Sequence, residues 1–187
     1  MQAERQQDPG LHTLPLSLPA SFRRRDFEAF HARDAEQVAE RCDAAGLDKG
    51  FVHDRRAALL RVRREGSQAL AELNFDGGAQ PADGASLSRT CVRVLALQHD
   101  IDAFEAAFAS HATLGPLIRR LAGLRIPLAA TPFEALLWAI AGQQISVAAA
   151  VSLRRRLILA GGVRHSSGIA CFPDAAAVLR SILVGRQ

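Results

Sequence analysis

Lysine, cysteine and tyrosine are nearly missing from this chain of 187 residues: Lys49 stands alone, tyrosine is absent, and there are three cysteines and one tryptophan. Cys42, Cys91 and Cys171 are far apart, odd in number and without a C-x-x-C pair, which argues against a disulfide framework and against a zinc or iron–sulfur cluster. The six histidines, His12, His31, His53, His99, His111 and His165, show no i,i+4 pairing and no acidic companion at metal-ligand spacing. Serine-hydrolase, kinase, P-loop and dinucleotide motifs are missing too. No apolar run approaches the length that crosses a bilayer, and the opening MQAERQQDPG has no basic-then-apolar pattern. These absences predict no metal, no small-molecule cofactor, no membrane partner and a reducing, cytoplasmic setting.

What is present is enough to fold. Hydrophobic residues make up 49% of the chain, sufficient for one sizeable core or two small domains. The net charge of +4 is modest, but its distribution is uneven. Residues 1–112 carry 14 basic and 17 acidic side chains, a net of −3, whereas residues 113–187 carry 9 and 2, a net of +7. Phosphate neutralisation supplies most non-specific DNA affinity, so any contact with nucleic acid is expected through the second part.

Patterning divides the chain into a frayed tail over 1–10, an α+β module over 11–98 and a helical part over 99–187. Leu14, Leu16 and Leu18 alternate with Pro15, Ser17 and Pro19, as in an edge strand. Segments 26–32 and 34–45 read as helices, and Phe51-Val52 as a short strand. Alternation of Ala58, Leu60 and Val62, then of Ala69, Ala71, Leu73 and Phe75, about the Glu65-Gly66 turn predicts a hairpin. Helical spacing follows in the stripe Leu87, Cys91, Val94, Leu95, in Ile101, Phe104, Phe108, and in 114–121. The expected fold is a small antiparallel sheet with helices, followed by an incomplete all-α domain.

The most specific stretch is Thr131 to Ser152, TPFEALLWAIAGQQISVAAAVS. Thr131 and Glu134 have capping-box spacing with Pro132 at the first helical position. Gly142 has the freedom a helix C-terminus uses, and a second helix runs from Ser146 until Gly161 and Gly162 stop it. Gln143 and Gln144 therefore occupy a tight turn between helices; on composition alone this is an ordinary polar turn. Ser146 has the residue type for an N-cap, and the amides behind it could hold a phosphate. Trp138, among Leu137, Ile140 and Ala141, reads as core, and Arg154 to Arg156 as a solvated helix end.

The phrase F-E-A-L-L-W-A-I-A-G-Q-Q-I-S-V-A-A-A resembles the signature of the DNA-3-methyladenine glycosylase II family, helix-hairpin-helix enzymes of base-excision repair. Weaker agreement extends over most of the chain, through Arg25 to Arg41, the hairpin around Gly66 and Cys171-Phe172-Pro173. The resemblance implies a monomeric, monofunctional glycosylase acting on double-stranded DNA with alkylated bases. It makes Gln143, Gln144 and Ile145 a wedge that fills the gap left by an extruded purine, supported by Gly142 and Ser146. Some relatives carry an aliphatic residue where Gln144 stands, so the plugging group here would be polar.

The family's later glycine-containing hairpin, of the L-P-G-I-G type, and the aspartate that follows it have no counterpart before Gln187. In the basic part only Glu134 and Asp174 are acidic, and both have structural explanations: the capping box and a first-turn position after Pro173. No catalytic residue is therefore assigned. The expectation is a truncated or frame-shifted member with little or no glycosylase activity of its own; the alternatives are a non-catalytic module that binds damaged DNA and an inert fragment.

Overall fold

The computed structural model describes residues 11–78, 80 and 83–184. Among these residues five strands form one antiparallel sheet in the order β1-β5-β4-β3-β2, and seven helices follow or flank it, which makes the chain α+β as its patterning predicts. The strands are β1 (Leu11–Ser17), β2 (Glu40–Cys42), β3 (Gly46–His53), β4 (Arg56–Glu65) and β5 (Gln68–Phe75). β1 lies at the sheet edge, where Pro15 can sit without costing an interior ladder bond. The β4–β5 hairpin turns at Gly66, whose φ of 61° is the left-handed conformation that glycine adopts most easily. Its inward residues Ala58, Leu60, Val62, Ala71 and Leu73 are fully buried, while on the other face Arg61 and Arg63 meet Asp48 and Glu72.

The expected helix over 34–45 does not form; only α1 (Arg24–His31) does. Asp34 is the reason. Its carboxylate accepts the amides of Glu36 at 3.2 Å and Val38 at 3.3 Å, a local bonding pattern that competes with a helical ladder. Gln37 then takes a positive φ of 48°, and 40–42 pair with 47–49 as β2 against β3. Pairing with the neighbouring strand has won over a helical pattern, and the predicted strand at Phe51-Val52 lengthens to eight residues.

α2 (Asp83–Val94) lays Leu87, Cys91 and Val94 on the core. α3 (Ile101–Phe108) and α4 (Leu114–Leu121) form a looser pair. Neither buries a large apolar side chain, and with Leu124 and Ile126 they border an open hollow of 520 Å³. α5 (Pro132–Ala141), α6 (Val147–Gly161) and α7 (Ala175–Val184) complete the helical part. α6 ends at Gly162 in the left-handed conformation, φ 65°.

The second part is not purely helical. Chain 169–172 returns to the sheet, where Val52 N–H donates to the Phe172 carbonyl and Phe172 N–H to the Gly50 carbonyl, each at 2.9 Å. Gly50 allows this approach: a Cβ there would lie 2.4 Å from the Ala170 carbonyl oxygen. A single apolar core results, running from the sheet through Ile158, Ala170 and Phe172.

Candidate nucleic-acid interface

The capped helix forms as its residues dictate. Thr131 accepts the Glu134 amide at 3.1 Å and Pro132 occupies the first turn. At the other end Gly142 caps the helix in the right-handed region, φ −82°, with its N–H on Trp138 O at 2.9 Å. The left-handed residue expected at Gly142 is instead Gln144, φ 59°. The turn reverses three residues after the helix ends, so the strain falls on an amide-bearing residue rather than on glycine. Ser146 then caps α6, its hydroxyl accepting the Ala149 amide at 3.2 Å.

Gly142, Gln143, Gln144, Ile145 and Ser146 are all exposed, and the two glutamine side chains make no hydrogen bond or ion pair among the described residues. Ile145 and Val147 are exposed apolar neighbours of the amides. The arrangement is a short bend carrying two unengaged amides and an aliphatic side chain, followed at once by the N-terminus of α6, whose first residues, Val147 to Ala149, are exposed. Such a bend can enter a gap in stacked bases while the helix start favours a phosphate.

Behind the bend lies a cluster that sequence patterning misses. Lys49 on β3, 1% exposed, donates to Glu40 on β2 and, at 2.7 Å, to Glu134 on α5, also 1% exposed. Arg154 on α6 donates to the same two carboxylates, each at 2.7 Å. His31 on α1 meets Glu40 at 3.2 Å, and Glu134 also accepts the Ala130 amide at 2.9 Å. Burial alone would raise both carboxyl pKa values; Lys49 and Arg154 more than offset it, holding Glu134 below and Glu40 well below the ordinary 4.5. Two anions and two cations thus alternate out of contact with water.

This overturns the solvated-helix-end reading for Arg154 and Arg155. Arg154 is buried, and Arg155 crosses to Asp34 at 2.7 Å and to Glu36. Carboxylates of the first part therefore neutralise two cations of the basic part, and the charge contrast along the chain is weaker in space than in sequence. Arg119, Arg120, Arg156, Arg164 and Arg180 remain exposed and without an ion pair among the described residues. Glu134 forms only half of the expected capping box: its amide donates to the Thr131 hydroxyl, but its carboxylate accepts from Ala130 rather than Thr131 and serves the buried cluster. Asp174 accepts the Ala177 amide at 2.8 Å, a capping duty for α7.

Trp138 is half-buried rather than central to the core. With Leu137, Leu153, Leu157 and Phe172 it lines a hollow of 360 Å³, and the guanidinium groups of Arg33 and Arg154 lie 4.7 and 5.4 Å from its ring centre. The one mark the sequence carries of the cluster is Lys49 itself, the single lysine of a chain otherwise built on arginine.

No family model matches the chain, and no curated protein matches it in sequence. Among solved structures it is similar to a 3-methyladenine DNA-glycosylase from Archaeoglobus fulgidus, with a TM-score of 0.69 and 19% identity over 90% of this chain. The match spans 58% of that glycosylase's own length. Over the part it spans, the chain has the fold of a 3-methyladenine DNA-glycosylase.

Proposed function

We propose that this chain is the DNA-gripping part of a base-excision repair glycosylase for alkylated purines, and that it inserts Gln143, Gln144 and Ile145 into the gap left by an extruded base. The observation that carries the reading is the bend itself: two exposed amides with no partner among the described residues, one held at positive φ, between two capped helices. Extrusion costs a few kcal/mol of lost stacking and pairing, and a side chain that fills the vacancy lowers the free energy of the extruded state. Likeness to a glycosylase fold and the sequence resemblance both support a repair role.

Bond cleavage is a separate matter. An alkylated purine leaves as a cationic or electron-poor base, so the protein's task is to supply a pocket and an anion beside the developing positive charge on the sugar. In the basic part, residues 113–187, Glu134 is locked to Lys49 and Arg154, and Asp174 caps α7. Neither is free to face a sugar. These 187 residues alone therefore bind damaged duplex, as a monomer, and release little or no base.

Fluorescence anisotropy with a duplex carrying an abasic-site analogue tests the binding. Affinity should fall steeply with salt, and replacing both glutamines with alanine should lower it about tenfold, the order expected for loss of a gap-filling contact. Equal binding by the alanine variant would exclude the wedge. Release of 3-methyladenine from alkylated DNA at a full glycosylase's rate would overturn the second claim.

A further inference from the structure

We infer that Lys49, with its cross-strand partner Glu40, is a positioning residue for the Gln143–Ile145 bend, an inference that rests on the DNA reading above. The register places Glu40 directly opposite Lys49 in the sheet. Their charged ends converge on Glu134 and Arg154, one from each helix flanking the bend. Glu134 lies nine residues before Gln143 and Arg154 eight after Ser146. At a rise of about 1.5 Å per residue both arms are roughly 12–14 Å long. The ion cluster is thus the base of a V, and the bend is its tip.

The other ties at this base are the ion pairs of Arg155 with Asp34 and Glu36, which hold α6 but not α5, and apolar contacts of Phe133, Leu137, Leu157 and Ile158 with the core. Apolar contacts are non-directional and would tolerate a slide or rotation of a helix. Hydrogen-bonded charges are directional. Because Lys49 and Arg154 share the same two carboxylate oxygens, neither helix can shift along the sheet without leaving a charge uncompensated away from water. A buried ion quartet contributes little net stability over apolar packing of equal volume, and a fixed register is its best-attested use. Here the register it fixes is that of the wedge.

The test uses the whole chain and compares Lys49→Met and the milder, near-isosteric Glu40→Gln with Leu73→Ala, which weakens the sheet core without touching the cluster. Each is measured well below its own melting temperature for affinity to intact duplex and to duplex with an abasic-site analogue. The cluster variants should lose at least fivefold of the preference for the gapped duplex while binding intact duplex within twofold of the parent. Leu73→Ala should keep the preference within twofold. If Lys49→Met does not fold, Glu40→Gln carries the comparison. A preference that survives in the folded cluster variants, or that Leu73→Ala loses equally, overturns the positioning role; a parent chain with no preference overturns the DNA reading itself.

Discussion

Lys49 and Glu134 stand 85 positions apart and meet at 2.7 Å with both side chains buried, joining the middle of a sheet to the helix that leads into the exposed bend. This ion pair couples a fold-level contact to the candidate DNA surface. Its energetics differ from those of a surface pair, because each charge has given up its water and depends on its partners.

Removing one member should therefore cost far more than a surface salt bridge. Lys49→Met removes one of the two cations shared by Glu40 and Glu134, leaving Arg154 between them, and the expected loss is about 3 to 5 kcal/mol. Urea unfolding followed by circular dichroism measures it; a loss under 1 kcal/mol would mean that water reaches the cluster.

Acid should find the same weak point. Lys49 and Arg154 depress the Glu40 and Glu134 carboxyls below 4.5, so the unfolded chain binds protons there more readily than the folded one. Their contribution is fully present above the unfolded carboxylate range and is lost as pH falls from there through the lower folded values. Melting temperature should hold near neutrality and drop steeply below about pH 4. A Glu40→Gln chain should show a shallower acid limb.

Gln144 offers a separate probe of strain. At φ 59° a β-branched side chain is strongly disfavoured, so Gln144→Val should lose about 1 to 3 kcal/mol. Glycine relieves that strain, and Gln144→Gly should match or exceed the parent in melting temperature while losing the amide proposed to fill the gap. A valine variant as stable as the parent would show that the bend takes another conformation in solution.

Gly50→Ala should loosen the return of 169–172 to the sheet, since the new methyl would sit 2.4 Å from the Ala170 carbonyl oxygen. Overpacking of this kind costs about 1 to 3 kcal/mol. Hydrogen exchange should locate the damage at the Val52 and Phe172 amides, which bond across this junction; unchanged protection there would rule out the contact.

The three thiols should be inert in the folded chain. Cys42, Cys91 and Cys171 are buried, and burial pushes their pKa values up to about 11, 12 and 11. Labelling by a thiol reagent at pH 8 should proceed at the rate of global unfolding and accelerate in urea. Rapid labelling of any one of them would reveal local opening at that site.

Local chemistry was legible before any coordinates. Alternation about Glu65-Gly66 places the β4–β5 hairpin, proline at alternate positions marks the edge strand, and Thr131, Pro132 and Ser146 mark both helix starts around the bend. These features depend on neighbours within a few residues, so the sequence carries them directly. The helix expected over 34–45 fails because Asp34 bonds its own following amides and because Glu40 to Cys42 find a partner strand, a gain that helical periodicity does not register.

The amino-acid order alone therefore determined the α+β class, the hairpin, the capped helices and the exposed pair Gln143 and Gln144, since backbone propensity, capping and turn chemistry act over short range. Only the tertiary structure decided that Arg154 is buried rather than solvated, that Glu134 serves a cluster as well as a cap, and that Lys49 ties both helices of the bend to the sheet. Those assignments turn on which charges meet across 85 and 114 positions of chain, and a charge's worth is set by the water it loses and the partner it gains. Both are properties of the folded interior.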